Sequence, residues 1–294
     1  MKSKYSIVLF LLCVTWSSSQ ENIITKADKY ITAKEYSKAI TLIESHKGNS
    51  SSELKDKLAE SYAYLGEWDK AIPIYEGLKD KHPKNDEYWF RYGGVLAMKA
   101  QTSNRLTALT LIGKIKSSFI QAAELDKKHI DARWALVDVY LTLPGILGGS
   151  VSRAEQYANE LKEISLIDGY ISKGYVYEYD DEPNKAKENY FKGLDALEKA
   201  DHISRNQLRY QIAKICGDYG VRIDEGIYQM NQFLKNYSVK DGVGKEWVYY
   251  RLARLHRHKN DKELANKYIK KAIAMKDEFT PALEEQKRIN KMSS

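Results

Sequence analysis

The chain has 294 residues, of which 43% are hydrophobic and 30% are charged, and it contains only 5 prolines. This balance is typical of a soluble folded protein and excludes a largely disordered chain. The formal net charge of +7 is small for this length. Because the basic residues are dispersed rather than clustered, we expect no nucleic-acid partner.

The N-terminal 19 residues have the pattern of a secretory signal peptide. Lys2 and Lys4 precede a short apolar run over 5–16, and small polar residues follow. We expect cleavage after Ser19 and export across the inner membrane, to the periplasm or the extracellular space. Retention of the segment as an anchor remains the alternative. The run is shorter than the roughly 20 residues that span a bilayer, and we expect no transmembrane segment in the mature chain.

The two cysteines predict neither a lipid anchor nor a disulfide. Leu12 precedes Cys13 where a lipoprotein signal needs a small residue, so we expect no lipidation there. Cleavage would leave Cys216 as the single cysteine, with 45 basic and 40 acidic residues and a net charge of +5. The apolar residues around Cys216 favour a buried, inert thiol over a nucleophile.

Two segments of the chain share one spacing of small and aromatic residues. Intervals of 3, 9 and 4 residues separate Ala59, Tyr62, Ala71 and Tyr75 in the first, and Gly174, Tyr177, Ala186 and Tyr190 in the second. This pattern resembles the tetratricopeptide repeat, whose unit is about 34 residues over two antiparallel helices. The resemblance implies that the small residues lie where the two helices cross closely and that the aromatic residues fill the space between repeats.

The same pattern continues along the chain. The first small position falls at Ala27, Ala59, Gly93, Gly174, Ala213 and Ala253, and the second at Ala39, Ala71, Ala154, Ala186, Gly226 and Ala265. The resemblance therefore implies an all-α fold, an α-solenoid of about seven repeat-like helix-turn-helix units. We expect these units at about 20–51, 52–85, 86–130, 131–166, 167–200, 203–240 and 246–279, with a capping helix at about 281–291.

The third and fourth units depart from the pattern. The third has a long second helix whose apolar face is predicted to carry Leu106, Leu109, Ile112, Ile115, Phe119 and Ala122. In the fourth, Asp138 stands where a small residue belongs, and the insertion LTLPGILGGS at 141–150 follows.

This insertion is either a connector or a ligand-binding loop. Pro144 should end the preceding helix, and Ser152 with Glu155 predicts a capping box for the next one. As a binding site, glycine amides and a helix N-terminus would hold an anion or a peptide end. The candidate loop residues are Pro144, Gly145, Gly148, Gly149, Ser150 and Arg153.

The resemblance also implies a partner groove lined by the first helix of each unit. The register places Glu53, Asp56, Glu60 and Tyr64 there in the second unit, Tyr175, Glu178 and Tyr179 in the fifth, Tyr210 and Lys214 in the sixth, and Trp247, Tyr250, Arg251, Arg254 and His258 in the seventh. Such a groove suits a protein or an extended bipolar peptide, or an acidic protein terminus against Arg251 and Arg254. A solvated charged face without a partner is the alternative.

The sequence has no constellation typical of catalysis or of metal binding. His256 and His258 are two residues apart on a predicted helix, so they point about 200° apart and cannot share a metal. We therefore predict a non-catalytic protein without a cofactor, a scaffold that binds protein or peptide in the cell envelope or outside the cell. The alternative is an envelope-assembly or surface-nutrient component that binds a glycan or lipid-linked ligand. Its candidate sugar-stacking residues are Trp68, Trp89, Trp134 and Trp247.

Overall fold

The structure is a computed structural model that describes residues 23–46, 51–200, 203 and 205–292. Within these ranges every regular element is helical, which confirms the predicted all-α class. The helices are α1 (23–32), α2 (Tyr36–Glu44), α3 (Ser52–Tyr64), α4 (Trp68–Lys81), α5 (Asp86–Thr102), α6 (Arg105–Leu125), α7 (Ile130–Thr142), α8 (Val151–Ile164), α9 (Leu166–Tyr179), α10 (Pro183–Leu197), α11 (Asn206–Tyr219), α12 (Ile223–Lys235), α13 (Lys245–His258), α14 (Lys262–Met275) and α15 (Thr280–Asn290). The predicted signal peptide lies outside the described residues. None of the described helices is both long and apolar enough to cross a membrane.

The helices follow one another in pairs, from α1 with α2 to α13 with α14, and α15 comes after the last pair. We call the first helix of each pair its A helix and the second its B helix. The chain divides into two compact units, Met1–Lys127 and Lys128–Ser294, which we call unit 1 and unit 2. Unit 1 contains α1 to α6, and unit 2 contains α7 to α15.

Most turns from an A helix to its B helix contain at least one residue in the left-handed conformation. The φ angles are 62° at Lys34, 74° at Gly66, 56° at Asp181, 65° at Gly220 and 61° at Asn260. A left-handed residue just past a helix end reverses the chain within a few residues. The B helix can therefore pack back against its own A helix along most of its length.

The small positions that the repeat register predicts are buried in every pair where the pattern places them. A Cβ atom on Gly174 of α9 would lie 2.3 Å from Cδ1 of Tyr190 on α10. In unit 1, a Cβ on Gly93 of α5 would lie 2.9 Å from Cε1 of Phe119 on α6. The predicted close crossing of A and B helices is confirmed, because the aromatic side chains of the B helices leave no space for a methyl group at these glycines.

The long second helix of the third unit is confirmed, but its predicted apolar face is wrong at its start. Ile115 and Phe119 of α6 are buried, whereas Leu106 is 77% exposed and Leu109 is 38% exposed. The first turns of α6 lie opposite the polar end of α5, which reads KAQT over 99–102. The apolar periodicity therefore predicts a buried face of α6 that extends too far toward the N-terminus of this helix.

The insertion between α7 and α8 folds into a compact turn, and the predicted capping box at Ser152 is wrong. The helix α7 ends at Thr142, two residues before Pro144, as expected. The amide of Ser150 donates to the Tyr140 carbonyl at 2.8 Å, and this bond holds Ser150 in an extended conformation. Its side chain accepts from the amide of Arg153, so Ser150 is the N-cap of α8.

The helix α15 packs on the last pair and holds a buried carboxylate. Phe279 and Ile289 share an apolar cluster with Tyr250 of α13. Glu285 is fully buried and accepts hydrogen bonds from Arg257 of α13 and, at 3.0 Å, from Arg288. The apolar cluster and the ion pair together fix α15 against α13.

A polar surface along the A helices of unit 2

The A helices α7 and α9 are joined by a hydrogen bond between two side chains. The hydroxyl of Tyr175 donates to Oδ1 of Asp138 at 3.1 Å. Loss of solvent raises the pKa of the Asp138 carboxyl, and the hydrogen bond from Tyr175 offsets this only in part. Asp138 stands where the repeat pattern has a small residue. Its carboxylate is held by Tyr175 on the next A helix.

The A helices α9 and α11 are joined by an ion pair. Nζ of Lys214 lies 2.8 Å and 3.0 Å from the two carboxylate oxygens of Glu178, which also accepts from the hydroxyl of Tyr190. Desolvation acts to raise the pKa of Glu178, but the ammonium of Lys214 and the phenol of Tyr190 outweigh it and lower the pKa. The carboxylate is therefore held ionised, at a position that the register predicts for the groove.

The A helices α11 and α13 are joined through a carboxylate shared by two arginines. Asp218 accepts a hydrogen bond from Arg251, and its Oδ1 forms an ion pair with Nη1 of Arg254 at 2.8 Å. Arg251 is 8% exposed and lies 5.1 Å from the ring centroid of Tyr250. The Nε atoms of both arginines are buried, and neither has a hydrogen-bond partner among the described residues. Two cations on one carboxylate leave this cluster with one excess positive charge.

These contacts form a continuous polar strip across four successive A helices. We call it the A-helix surface, and it consists of Asp138, Tyr175, Glu178, Tyr179, Lys214, Asp218 and Arg254. Tyr179 adds an aromatic side chain that is 51% exposed. The α7 and α9 end of the surface carries the carboxylates of Asp138 and Glu178, and the α13 end carries the guanidinium of Arg254, beside the buried Arg251.

Three other predicted groove residues of unit 2 are packing residues. Tyr210 is buried and its ring lies 5.3 Å from that of Phe233. Tyr250 is also buried, and Trp247 packs edge-on against Phe279 at 4.7 Å. These aromatic side chains hold the helices together beneath the surface, rather than extending it.

In unit 1 the predicted acidic groove residues are partly neutralised. Both oxygens of Asp56 accept from Nη1 of Arg91 on the next A helix, at 2.8 Å and 2.9 Å. Glu60 lies 3.8 Å from Lys57, and Tyr64 stacks on Tyr36 with ring centroids 4.5 Å apart. Glu53 is the exposed member of this predicted set.

Sequence reasoning missed the residues that pair with the predicted ones. Asp218 and Arg91 were not assigned to the groove, and Asp138 was treated only as a departure from the pattern. A sequence signal does exist, because the charged partners lie 33 to 36 residues apart, which is about one repeat. Opposite charges at that separation on successive A helices therefore predict inter-repeat ion pairs.

The insertion loop uses its own amides. Gly148 donates to the Gly145 carbonyl at 2.9 Å, and Gly149 donates to the Pro144 carbonyl at 3.1 Å. Since the amide of Ser150 is also engaged, these groups do not form a cradle for an anion. The geometry favours the connector over the ligand-binding loop.

The remaining candidates for chemistry or for sugar binding are buried or engaged by neighbouring groups. Trp68 and Trp134 are 7% and 8% exposed, and Nε1 of Trp89 donates to the Pro83 carbonyl at 3.0 Å. Cys216 is fully buried, and desolvation raises its pKa to about 12, so the thiol is unreactive at neutral pH. Among the described residues, no three His, Cys, Asp or Glu side chains lie close enough to hold a metal ion.

Comparison with known proteins identifies the fold. Residues 52–95, which contain α3, α4 and the start of α5, match the tetratricopeptide repeat. The crystal structure of a tetratricopeptide repeat protein from Parabacteroides merdae ATCC 43184 covers 92% of this chain and 99% of its own, with 13% identity and a TM-score of 0.54. The fold is that of a tetratricopeptide-repeat solenoid.

Other solved structures are similar over shorter stretches. The crystal structure of MamA covers 59% of this chain and 95% of its own, with 21% identity and a TM-score of 0.46. A thermophilic tetratricopeptide-repeat protein of Thermus thermophilus covers 74% and 90%, with 15% identity and a TM-score of 0.42. No curated protein matches the sequence.

Proposed function

We propose that this protein is a non-catalytic scaffold that binds a protein or an extended peptide on the A-helix surface of unit 2. The observation that carries the proposal is the alignment of Asp138, Glu178, Lys214 and Arg254 across four successive A helices. Ion pairs and hydrogen bonds hold these side chains in place, so little side-chain entropy is lost when a ligand binds. The exposed Tyr179 and the partly exposed Arg254 are of residue types that are favoured anchors for a protein partner.

The charge distribution indicates the polarity of the bound segment. Among the described residues, the recorded partner of the Asp138 carboxylate is the neutral hydroxyl of Tyr175, so a lysine or arginine of the ligand fits at the α7 end. The excess positive charge at Arg251 and Arg254 fits an acidic group at the α13 end. The proposed ligand is therefore an extended segment with opposite charges at its two ends.

Site-specific photo-crosslinking in the native cell tests this proposal. A photoreactive residue at Tyr179 should capture a defined protein, and the same residue at Lys192 on α10 should not. Charge reversal by Asp138→Lys with Arg254→Glu should remove that product and leave helicity unchanged. Lys192→Glu is the matched control, because Lys192 is exposed and pairs with Glu188 on its own helix. Undiminished crosslinking in the double variant would refute the assignment to the A-helix surface.

We also propose that the scaffold is exported. The basic and apolar N-terminal pattern supports export to the periplasm or the extracellular space. The mature protein is expected to begin at Gln20. N-terminal sequencing of the protein from fractionated cells measures this directly, and an intact Met1 in the cytosolic fraction would contradict it.

A further inference from the structure

A cavity of about 570 Å³ opens in unit 2 where the end of α10 meets α11 and the start of α12. Its volume lies within the range of small-molecule sites, about 300–1,000 Å³. It contains side chains that the A-helix surface does not use, among them Arg209 of α11 and Gln229 of α12.

The polar wall of this cavity is a hydrogen-bonded chain of three side chains. Gln229 is only 3% exposed, and its Oε1 accepts from Nη1 of Arg209 at 2.6 Å. Its Nε2 donates to Glu225 at 2.7 Å, which fixes the orientation of the amide. The buried glutamine thus holds Arg209 in one place, as the supporting residues behind a binding site do.

Of the two arginines in the described lining, Arg209 is the one whose recorded partner is not a carboxylate. A guanidinium has five N–H donors, and the hydrogen bond from Arg209 goes to a neutral amide. The second arginine, Arg222, is already engaged by the Leu194 carbonyl at 2.7 Å, by Asp195 at 2.5 Å and by Glu198 at 3.0 Å. An anion entering the cavity would therefore pair with Arg209.

The cavity is also lined by apolar side chains. These include Leu197, Ile203 and the ring of Tyr228, which is 54% exposed. A ligand that fills the cavity must therefore combine an anionic group with an apolar body. The carboxylates of Glu198 and Glu225, also in the lining, favour a single negative charge over a phosphate dianion.

We propose that this cavity binds an organic carboxylate, whose two oxygens pair with the guanidinium of Arg209 and whose apolar body packs on Leu197, Ile203 and Tyr228. Planar, two-point recognition of a carboxylate is the geometry that arginine suits best. The carboxylate comes either from a free small acid or from the C-terminus of a peptide with an apolar last residue. Binding of either kind of carboxylate in this cavity does not depend on a ligand at the A-helix surface.

Titration of the ¹⁵N-labelled full chain with 3-phenylpropanoate tests the proposal. Binding is followed in every variant by the backbone amide resonance of Gln229, and also by the Nε–Hε resonance of Arg209 where that residue is retained. We expect a saturable shift, with binding at least tenfold weaker for 3-phenylpropanamide and for Arg209→Gln. Arg209→Lys should fall between, since it keeps the charge and loses the two-point geometry. Arg153→Gln, outside the cavity, is the matched control and should bind like the parent protein. Equal binding by Arg209→Gln and the parent, or a shift that never saturates, would overturn the site.

A second variant keeps the test decisive if Arg209→Gln does not fold. Tyr228→Ala changes an exposed ring, and it should weaken 3-phenylpropanoate at least threefold while leaving acetate unchanged; no effect on either would overturn the apolar half of the site. N-acetyl-Ala-Ala-Phe with a free carboxylate then separates the sources. Tighter binding than 3-phenylpropanoate supports a peptide C-terminus, and weaker binding supports a free acid. Arg254→Glu should leave all of these affinities unchanged, so failure here is distinct from failure of the proposed scaffold function.

Discussion

A single methyl group at Gly174 should destabilise unit 2. In Gly174→Ala the new Cβ would lie 2.3 Å, 2.5 Å and 2.8 Å from three ring atoms of Tyr190, where carbon atoms normally approach to about 3.5–4.0 Å. The ring must therefore retreat by about 1 Å. Tyr190 is only 3% exposed, and its hydroxyl is bonded to Glu178, so the retreat also strains that hydrogen bond.

The expected magnitude follows from opposing contributions. Overpacking of a core costs about 1–3 kcal/mol, and weakening the bond from Tyr190 to Glu178 adds about 1 kcal/mol. Alanine favours the helix over glycine by about 1 kcal/mol. We expect a net loss of about 2 kcal/mol in the free energy of unfolding. For a unit of this size the thermal midpoint should fall by about 4–8 °C.

The same substitution at Gly217 provides a matched control in the same unit. A Cβ on Gly217 of α11 would lie 3.4 Å and 3.5 Å from side-chain atoms of Leu255, which is ordinary van der Waals contact. Gly217→Ala should therefore stabilise the protein by about 0.5–1 kcal/mol. Thermal and urea unfolding followed by circular dichroism measures both variants. If Gly174→Ala proves as stable as Gly217→Ala, the close crossing of α9 and α10 is wrong.

Three further expectations concern buried and paired groups. Glu285→Ala should leave the guanidinium of Arg257 without its buried partner and destabilise α15 by up to about 3 kcal/mol. Faster hydrogen exchange in that helix would show this loss. Glu284→Ala, which changes an exposed neighbour, should alter the free energy of unfolding by less than about 0.5 kcal/mol. Cys216 should resist a thiol reagent at pH 8 in the folded protein and react fully in urea, since its pKa is raised to about 12; rapid reaction in the folded state would contradict its burial. Because the pKa of Glu178 is lowered on folding, its contribution to stability is present above the unfolded value of about 4.3 and is lost as the pH falls through the lowered value. The stability difference between the parent and Glu178→Gln, measured by urea unfolding, should therefore be present at pH 7 and disappear in strong acid.

The helix pairing could be predicted because it depends on local spacing. Ala59 and Ala71 mark one crossing and Gly174 and Ala186 another, and each crossing involves two helices that are adjacent in the chain. How closely two helices can cross depends on the size of the residues at the crossing, and residue size can be read directly from the sequence. Within the described residues, the same reasoning located the long helix α6 and the end of α7.

The burial and the ion-pair partners of the charged side chains could not be predicted from the repeat register alone. The register places Arg251 on the partner side of α13, but its burial depends on the rotamer that reaches Asp218 on another repeat. The cap of α8 was missed for a related reason. Ser150, rather than Ser152, begins that helix because a hydrogen bond to Tyr140 sets its backbone conformation. Both outcomes depend on contacts between residues that the local pattern does not connect.

The cavity beside Arg209 was missed because it arises from an irregular link. The segment between α10 and α11 is longer than the turns inside all the helix pairs except α7 with α8, and this interruption coincides with the space between α10 and α12. A register that assumes uniform repeats has no position for such a space. The residues that line it, such as Gln229 and Tyr228, belong to no pattern position and could be recognised only after the helices were in place.

The ion pairs between A helices link stability to binding at the A-helix surface. In a repeat protein, stability depends strongly on interactions between neighbouring repeats, and Asp218 with Arg251 and Arg254 is one such interaction. An acidic ligand group at Arg254 would compete with Asp218 for the same guanidinium, whereas Arg251 would keep its buried bond. The α11 to α13 contact can therefore persist while the more exposed arginine changes partner. This division predicts that Arg254→Gln weakens ligand binding with little loss of stability, and that Arg251→Gln destabilises unit 2 whether or not a ligand is present.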